Sequence, residues 1–259
     1  MAGTIRSAVF LVFLLSCKSS GGQDNTTNPN ALHAHESWCP EGFETGPSDT
    51  CFAIPANPSK EAPVLVYLHG IYSGRGAPPE AALVRTATQR GFAVVLPRGK
   101  RGHCPLKAEV KDSFCWPEEP DDPVGMKSVV AEWDRVLWQV DALLEGGKHR
   151  RYVLGVGNGA SFAVHLATRG FFDGEAFAIV DGVALAPVLP PRGKTSMLVM
   201  SAESNVKTKE LSDALVKAGW KEAFCPRAGA ELKAEDVDAA LRFFDHEMKG
   251  ASKPFPCEK

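Results

Sequence analysis

Short apolar segments alternate along the chain with longer segments in which apolar residues recur at helical spacing. Most of the apolar segments are rich in valine and leucine, and such runs are typical of strands buried on both faces of a sheet. Six of these segments predict six strands, at residues 62–68, 92–96, 151–156, 177–185, 195–200 and 220–225.

The segments between these strands predict helices. The clearest is 124–144, where Val129, Trp133, Val136 and Val140 recur every three or four residues and would form one apolar face. Further helices are predicted at residues 79–90, 160–168, 209–217 and 235–248. Alternating strands and helices are typical of an α/β domain, in which helices cover both faces of a mostly parallel central sheet. We expect one such domain over residues 38–259, beginning with a hairpin.

Composition and charge say little about the fold, but they limit which partners and cofactors to expect. Of the 259 residues, 44% are hydrophobic and 23% are charged, which is an ordinary balance for a globular protein. The net charge is −2 and the charges are interspersed, so we expect no nucleic-acid partner. The sequence contains no zinc-ligand spacing and no glycine-rich phosphate loop. It therefore predicts neither a metal nor another cofactor.

The N-terminal residues resemble the signal of a bacterial lipoprotein. Residues 7–15 form an apolar run that is too short to cross a bilayer but has the length of a signal-peptide core. Leu14 and Ser16 precede Cys17 in the pattern of a lipobox. The resemblance implies a signal peptide at 1–16, acylation of Cys17 and a flexible polar tether over 17–37. The alternative is ordinary secretion with cleavage at another position.

This resemblance also implies a location. A protein acylated at Cys17 is held on a membrane through its N-terminal lipid, in the bacterial cell envelope, and faces the periplasm or the exterior. With Cys17 acylated, six cysteines remain, an even number that favours disulfides in an oxidising compartment over free buried thiols. Local spacing favours one set of pairs, namely Cys39–Cys51 across the hairpin, Cys104–Cys115 across a short loop, and Cys225–Cys257.

A glycine-rich turn between a predicted strand and a predicted helix carries the main functional signal. Gly155, Gly157 and Gly159 are spaced as in a nucleophile elbow, where a strand turns sharply into a helix. Residues 39–248 resemble the α/β-hydrolase superfamily, and within it the secreted esterases and dienelactone-hydrolase-like proteins. A second point of resemblance is His69-Gly70-Ile71 after the first buried strand, where the family has its oxyanion-hole loop.

The sequence departs from this family at each catalytic position. The motif G-x-S-x-G places Gly157 where the nucleophile belongs. The turn after strand 195–200 places Ser204 at the position of the acid, with Glu203 as a substitute if the register slips by one residue. The loop after the last strand places Ala230 at the position of the catalytic histidine. We therefore expect a degenerate catalytic triad.

Two hypotheses of different class follow. The first is a catalytically inactive hydrolase-fold protein that binds a small molecule, a glycan or a protein partner at the cell envelope, with His69, Tyr72, Asn158 and Glu203 at the mouth of its pocket. The second is an active carboxylesterase-type hydrolase that uses other residues, either Glu203 or the pair Ser161 and His165, which lie one helical turn apart. A purely structural role in the envelope remains a third possibility. We expect a monomer.

Overall fold

The computed structural model describes residues 38–74, 76–104, 109–118, 122–202, 204–229 and 231–257. The predicted signal peptide, the lipidation site Cys17 and the tether lie outside the described residues, as do Glu203 and Ala230. Within the described part of the chain, no helix combines the length and the apolar character needed to cross a membrane.

The described residues form one eight-stranded sheet in the order β1-β2-β4-β3-β5-β6-β7-β8. The strands β1 and β2 pair antiparallel with each other, and β2 pairs antiparallel with β4, whereas every pairing among β3 to β8 is parallel. Their bounds are β1 Glu44–Gly46, β2 Thr50–Ala53, β3 Val64–Leu68, β4 Ala93–Pro97, β5 Arg151–Val156, β6 Ala176–Val180, β7 Ser196–Ala202 and β8 Lys221–Arg227.

Five α-helices cover the two faces of this sheet. They are α1 Ala81–Val84, which continues as a 3-10 helix over Arg85–Arg90, α2 Pro123–Leu143, α3 Asn158–Arg169, α4 Val206–Lys217 and α5 Ala234–Met248. Because side chains alternate along a strand, each strand contributes to two separate cores. In β3, Val66 packs in the core under α2, α3 and α4, and Tyr67 packs in the core under α1 and α5. The predicted α/β architecture is confirmed.

Two predicted elements differ from the observed ones. The helix predicted over 79–90 ends at Arg90 before Gly91 as expected, but it begins at Ala81 and is α-helical only to Val84, after which the chain tightens into a 3-10 helix. The predicted strand 177–185 ends at Val180, because Asp181 adopts a positive φ of 55° that no regular strand contains.

Three disulfides join the predicted pairs. Cys39–Cys51 fastens the chain to the hairpin, where Cys51 lies in β2 opposite Thr45 of β1. The other two bonds are Cys104–Cys115, in the loop after β4, and Cys225–Cys257, which attaches the C-terminal segment to the edge strand β8. The predicted pairing and the N-terminal hairpin are both confirmed.

Candidate functional site

The turn from β5 into α3 has the backbone geometry of a nucleophile elbow. Gly157 is the N-cap of α3 and adopts φ 54° and ψ −115°, a conformation that L side chains rarely adopt. Its N–H donates to the carbonyl of Val180 at 2.8 Å, and its own carbonyl accepts from the N–H of Ser161 at 3.0 Å. These two bonds fix the turn between the neighbouring strand β6 and the first turn of α3.

The three glycines of this turn differ in what surrounds them. A Cβ at Gly155 would lie 2.6 Å from the carbonyl oxygen of Gly159, and a Cβ at Gly159 would lie 2.3 Å from that of Leu68. Both approaches are to backbone, so neither position accepts a side chain without a shift of the chain. A Cβ at Gly157 would meet nothing within 4 Å. The turn thus keeps close packing at its outer positions and open space at the position of the nucleophile.

His69, which follows β3, joins two loops through its buried ring. Nε2 accepts from the N–H of Gly99 at 2.9 Å, so the proton resides on Nδ1, which donates to the carbonyl of Gly70 at 2.5 Å. Burial lowers the pKa of His69 to about 4; the bond to Gly70 opposes this shift and the charge of Arg98 adds to it. His69 is therefore neutral and only 1% exposed, with both nitrogens bonded to backbone.

Asn158, the first residue of α3, is bound to the loop that carries the Cys104–Cys115 disulfide. Its Oδ1 accepts from the N–H of Trp116 at 2.6 Å, and its Nδ2 donates to the carbonyl of Trp116 at 3.2 Å and to Glu118 at 2.8 Å. The side chain of Asn158 thus holds this loop next to the elbow. Its backbone N–H belongs to the first turn of α3, where helix amides have no intrahelical acceptor.

Tyr72 connects the loop after β3 with the same disulfide loop. Its N–H donates to the carbonyl of Phe114 at 3.4 Å, the N–H of Phe114 donates back at 2.9 Å, and the two rings stack at 5.5 Å. Burial raises the pKa of the Tyr72 phenol. Ile71, between His69 and Tyr72, is 41% exposed, and Gly70 is half-buried. The structure therefore brings the loops after β3 and β4 together beside the elbow, which follows β5.

Ser161 and His165 lie on the inner side of α3. The hydroxyl of Ser161 donates to the carbonyl of Gly157 at 3.2 Å and accepts from the N–H of Val183 at 3.0 Å, so it is engaged with backbone on both sides. His165 is 2% exposed, and its ring centroid lies 5.8 Å from that of Phe171. These contacts are those of residues that pack a helix against a sheet.

The carboxyl ends of β6 and β8 carry a buried ion-pair cluster that sequence reasoning missed. The carboxylate of Asp181 accepts from the hydroxyl of Ser201 at 2.6 Å, from Nδ2 of Asn205 at 3.3 Å and from Nη1 of Arg227 at 2.7 Å. Arg227, whose side chain is 4% exposed, also binds Asp236 of α5 through Nε at 3.1 Å and Nη2 at 2.7 Å. We call Asp181, Arg227 and Asp236 the arginine cluster.

The arginine cluster lies at the carboxyl edge of the sheet. It is next to the turn after β7 and the loop after β8, where the sequence predicts the positions of the acid and the base. Ser204, the residue at the predicted acid position, is exposed in the turn between β7 and α4. The only sequence signal for the cluster was an aspartate, Asp181, within the strongly apolar segment 177–185. Within the described residues, no group of three or more histidine, cysteine, aspartate or glutamate side chains could hold a metal ion.

Solved structures with this architecture include esterases and proteins of unknown function. Comparison with protein-family models and with curated proteins gave no match. The Bacillus cereus carboxylesterase is 17% identical, with a TM-score of 0.55 over 76% of this chain and 93% of that one. The Thermogutta terrifontis esterase Est2 is 14% identical, with a TM-score of 0.55 over 86% and 98%. This chain has the α/β-hydrolase fold.

The α/β-hydrolase fold does not by itself establish an activity. The Agrobacterium tumefaciens protein Atu2452, described as of unknown function, is 16% identical, with a TM-score of 0.52 over 73% of this chain and 93% of that one. A fold supports many unrelated functions, and function depends on the residues of the site. The resemblance to the α/β-hydrolase superfamily is confirmed for the fold, and the predicted roles of the site residues stay predictions.

Proposed function

We propose that this protein is an inactive member of the α/β-hydrolase fold that binds a ligand at the cell envelope instead of cleaving an ester. The observation that carries the proposal is Gly157. The turn has the dihedral angles of an elbow and open space at the central position, yet the residue there has no side chain. A nucleophile at this position is the group that attacks the substrate carbonyl in the family.

Other residues near the carboxyl edge of the sheet do not replace the missing nucleophile and base. Removal of the serine nucleophile alone costs about 10⁶-fold in kcat in a serine protease. The hydroxyl of Ser161 is bonded to backbone on both sides. At the ends of β6 and β8, a guanidinium, Arg227, is paired with two carboxylates. Because a guanidinium stays protonated at all relevant pH values, it does not serve as a general base.

A binding role accounts for what the elbow retains. The backbone keeps the positive-φ turn and an open space in front of it, and three loops stay fastened around that space by Asn158, Tyr72 and a disulfide. The ligand in this proposal is a small molecule, a glycan or a protein partner. Its place in the envelope rests on the lipoprotein-like N-terminus at Cys17 and on three disulfides, which are typical of oxidising compartments.

Hydrolysis of p-nitrophenyl acetate by the purified full-length protein tests the proposal. We expect the rate of buffer alone for the wild type, for Gly157→Ala and for Gly157→Ser, because no histidine is placed to activate the new hydroxyl. The combination Gly157→Ser, Ser204→Asp and Ala230→His is expected to give weak turnover. Turnover by the wild type that is lost on unfolding and in Ser161→Ala would instead support the active esterase.

A further inference from the structure

A cavity of about 760 Å³ opens between the carboxyl ends of β7 and β8, the first turns of α5 and the C-terminal segment. Its volume is in the range of small-molecule sites, about 300–1,000 Å³. It lies at the carboxyl edge of the parallel strands, where ligands bind in open α/β sheets. Its lining comes from these elements and not from Gly157 or the loops around the elbow.

One part of this cavity is apolar. Met200 at the end of β7 is 1% exposed, and Phe255 of the C-terminal segment is 9% exposed. Pro226, Ala239 and the Cys225–Cys257 disulfide complete this part of the lining. The disulfide attaches the C-terminal segment to β8, so the wall that carries Phe255 is covalently fixed. A hydrocarbon chain or ring placed here would displace water from the accessible apolar part of this lining, which is favourable.

The charged part of the lining divides into paired and unpaired groups. Arg227 is shared between Asp181 and Asp236 in the arginine cluster, so it has no positive charge left for a ligand. Arg242 donates through Nε to Asp238 at 3.0 Å, and Asp238 is shared with Arg90. The side chain of Arg242 is 38% exposed, and its terminal Nη groups make no hydrogen bond to the residues that the structure describes.

Two further charges complete the rim of the cavity. Within the residues that the structure describes, Lys233 and Glu235 form no ion pair, and both are exposed. Among the described residues of the lining, the rim therefore offers an ammonium and the outer edge of a guanidinium, opposed by the unpaired carboxylate of Glu235. A guanidinium edge and an ammonium together are the usual donors for a carboxylate.

We propose that this cavity binds an amphipathic carboxylate, an apolar chain or ring that ends in one carboxylate group. The carboxylate is attracted to the cationic rim that Arg242 and Lys233 form, and the apolar part lies along Met200, Phe255 and the disulfide. The inference rests on the proposed function, because it supplies a ligand for a protein that binds instead of cleaving. Glu235 repels this carboxylate and weakens its binding.

Isothermal titration of the full-length protein with sodium octanoate tests the inference. We expect saturable binding at one site, with sodium acetate and octyltrimethylammonium each at least about tenfold weaker, because each lacks one of the two features recognised. The double variant Arg242→Gln and Lys233→Gln is expected to lose about tenfold or more in affinity. Glu235→Gln is expected to bind octanoate more tightly than the wild type.

The control variant is Arg135→Gln, an exposed arginine of α2 on the other face of the sheet, which is expected to bind octanoate as the wild type does. Thermal unfolding confirms that each variant is folded. If the double variant is not, the exposed Lys233→Gln alone replaces it. Absence of saturable binding, an equal loss in Arg135→Gln, or weaker binding in Glu235→Gln would overturn the inference.

A parallel assay with p-nitrophenyl octanoate separates this inference from the proposed function. Release of p-nitrophenol by the folded wild type would contradict the proposed function. No release together with no octanoate binding would overturn only the amphipathic carboxylate as ligand. No release together with saturable octanoate binding that depends on Arg242 and Lys233 would support both.

Discussion

At the scale of single residues, the three glycines of the elbow are required for two different reasons. Gly155 and Gly159 are required by space, because a Cβ at either position would overlap backbone atoms. Gly157 is required only by its φ, since its surroundings are open. In an active hydrolase the nucleophile adopts this strained backbone conformation, and the surrounding structure maintains it because the strained residue performs the chemistry. With glycine at this position the strain is relieved and the chemistry is absent.

Alanine substitutions at these glycines should therefore differ in their effect on the free energy of unfolding. We expect Gly157→Ala to cost about 1–3 kcal/mol, the range for a non-glycine residue in a sparsely populated backbone conformation. Gly155→Ala and Gly159→Ala should cost more, because the backbone must move as well. Urea unfolding measures all three. Gly193→Ala, with φ 82° and open surroundings, is the matched control for the backbone penalty. Equal losses at Gly157 and Gly159 would contradict this account.

His69 predicts a pH dependence of stability. Its pKa is about 4 in the folded protein, against 6.5 for an unperturbed histidine. Between these values the unfolded chain binds a proton that the folded protein does not, so the free energy of unfolding falls as the pH is lowered from 6.5 towards 4. The contribution is about 3 kcal/mol when complete. Urea unfolding across this window should show a shallower dependence for His69→Gln. Parallel curves for the two proteins would show that His69 is not the group responsible.

The residues of the site were predictable to different degrees for a physical reason. The glycine spacing around Gly157 is local, so the sequence alone exposes both the motif and the missing nucleophile. The contact between Asp181 and Arg227 joins residues 46 positions apart. Nothing in either segment specifies that pairing, because it depends on the parallel order of β6, β7 and β8. Asn158 was predicted at the mouth of a pocket, whereas its side chain is bound to the backbone of Trp116.

At the scale of elements, apolar pattern predicted the existence of strands and helices better than their ends. The predicted strand at 151–156 matches β5, because a continuous apolar run ends there at a glycine turn. The helix α4 begins at Val206, three residues earlier than predicted, because the side chain of Asn205 caps it by accepting from the N–H of Thr208. Polar caps such as Asn205 and positive-φ residues such as Asp181 set the ends of elements. They do not change the spacing of apolar residues, so this spacing does not reveal them.

The arginine cluster gives a prediction at this scale, since it connects β6, β8 and α5. We expect Arg227→Met to lower the free energy of unfolding by about 3–5 kcal/mol, because it leaves two partly or fully buried carboxylates without their cation. The control is Lys148→Met, which breaks the exposed pair of Lys148 with Asp173 and should cost less than about 1 kcal/mol. Chemical denaturation compares the two. A similar small loss in both would mean that the cluster contributes little to the connection of these elements.

For the whole molecule, the disulfides fasten the two edges of the sheet and one loop between them. Cys39–Cys51 lies at the β1 and β2 edge, Cys225–Cys257 lies at the β8 edge, and Cys104–Cys115 lies in the loop bound to Asn158. This distribution suits a protein of an oxidising compartment. It supports the proposal of an envelope protein whose hydrolase fold is retained for its rigid carboxyl edge, where the elbow and the cavity at β7 and β8 lie.

Treatment of the folded full-length protein with a broad fluorophosphonate probe, followed by intact mass measurement, tests the central claim most directly. The probe modifies an activated serine, and a known serine hydrolase treated in parallel serves as the control. The account predicts no increase in mass for this protein while the control is fully modified. An adduct that forms on the folded protein and not on the unfolded one would contradict the account, and peptide mapping would identify the serine that acts as the nucleophile.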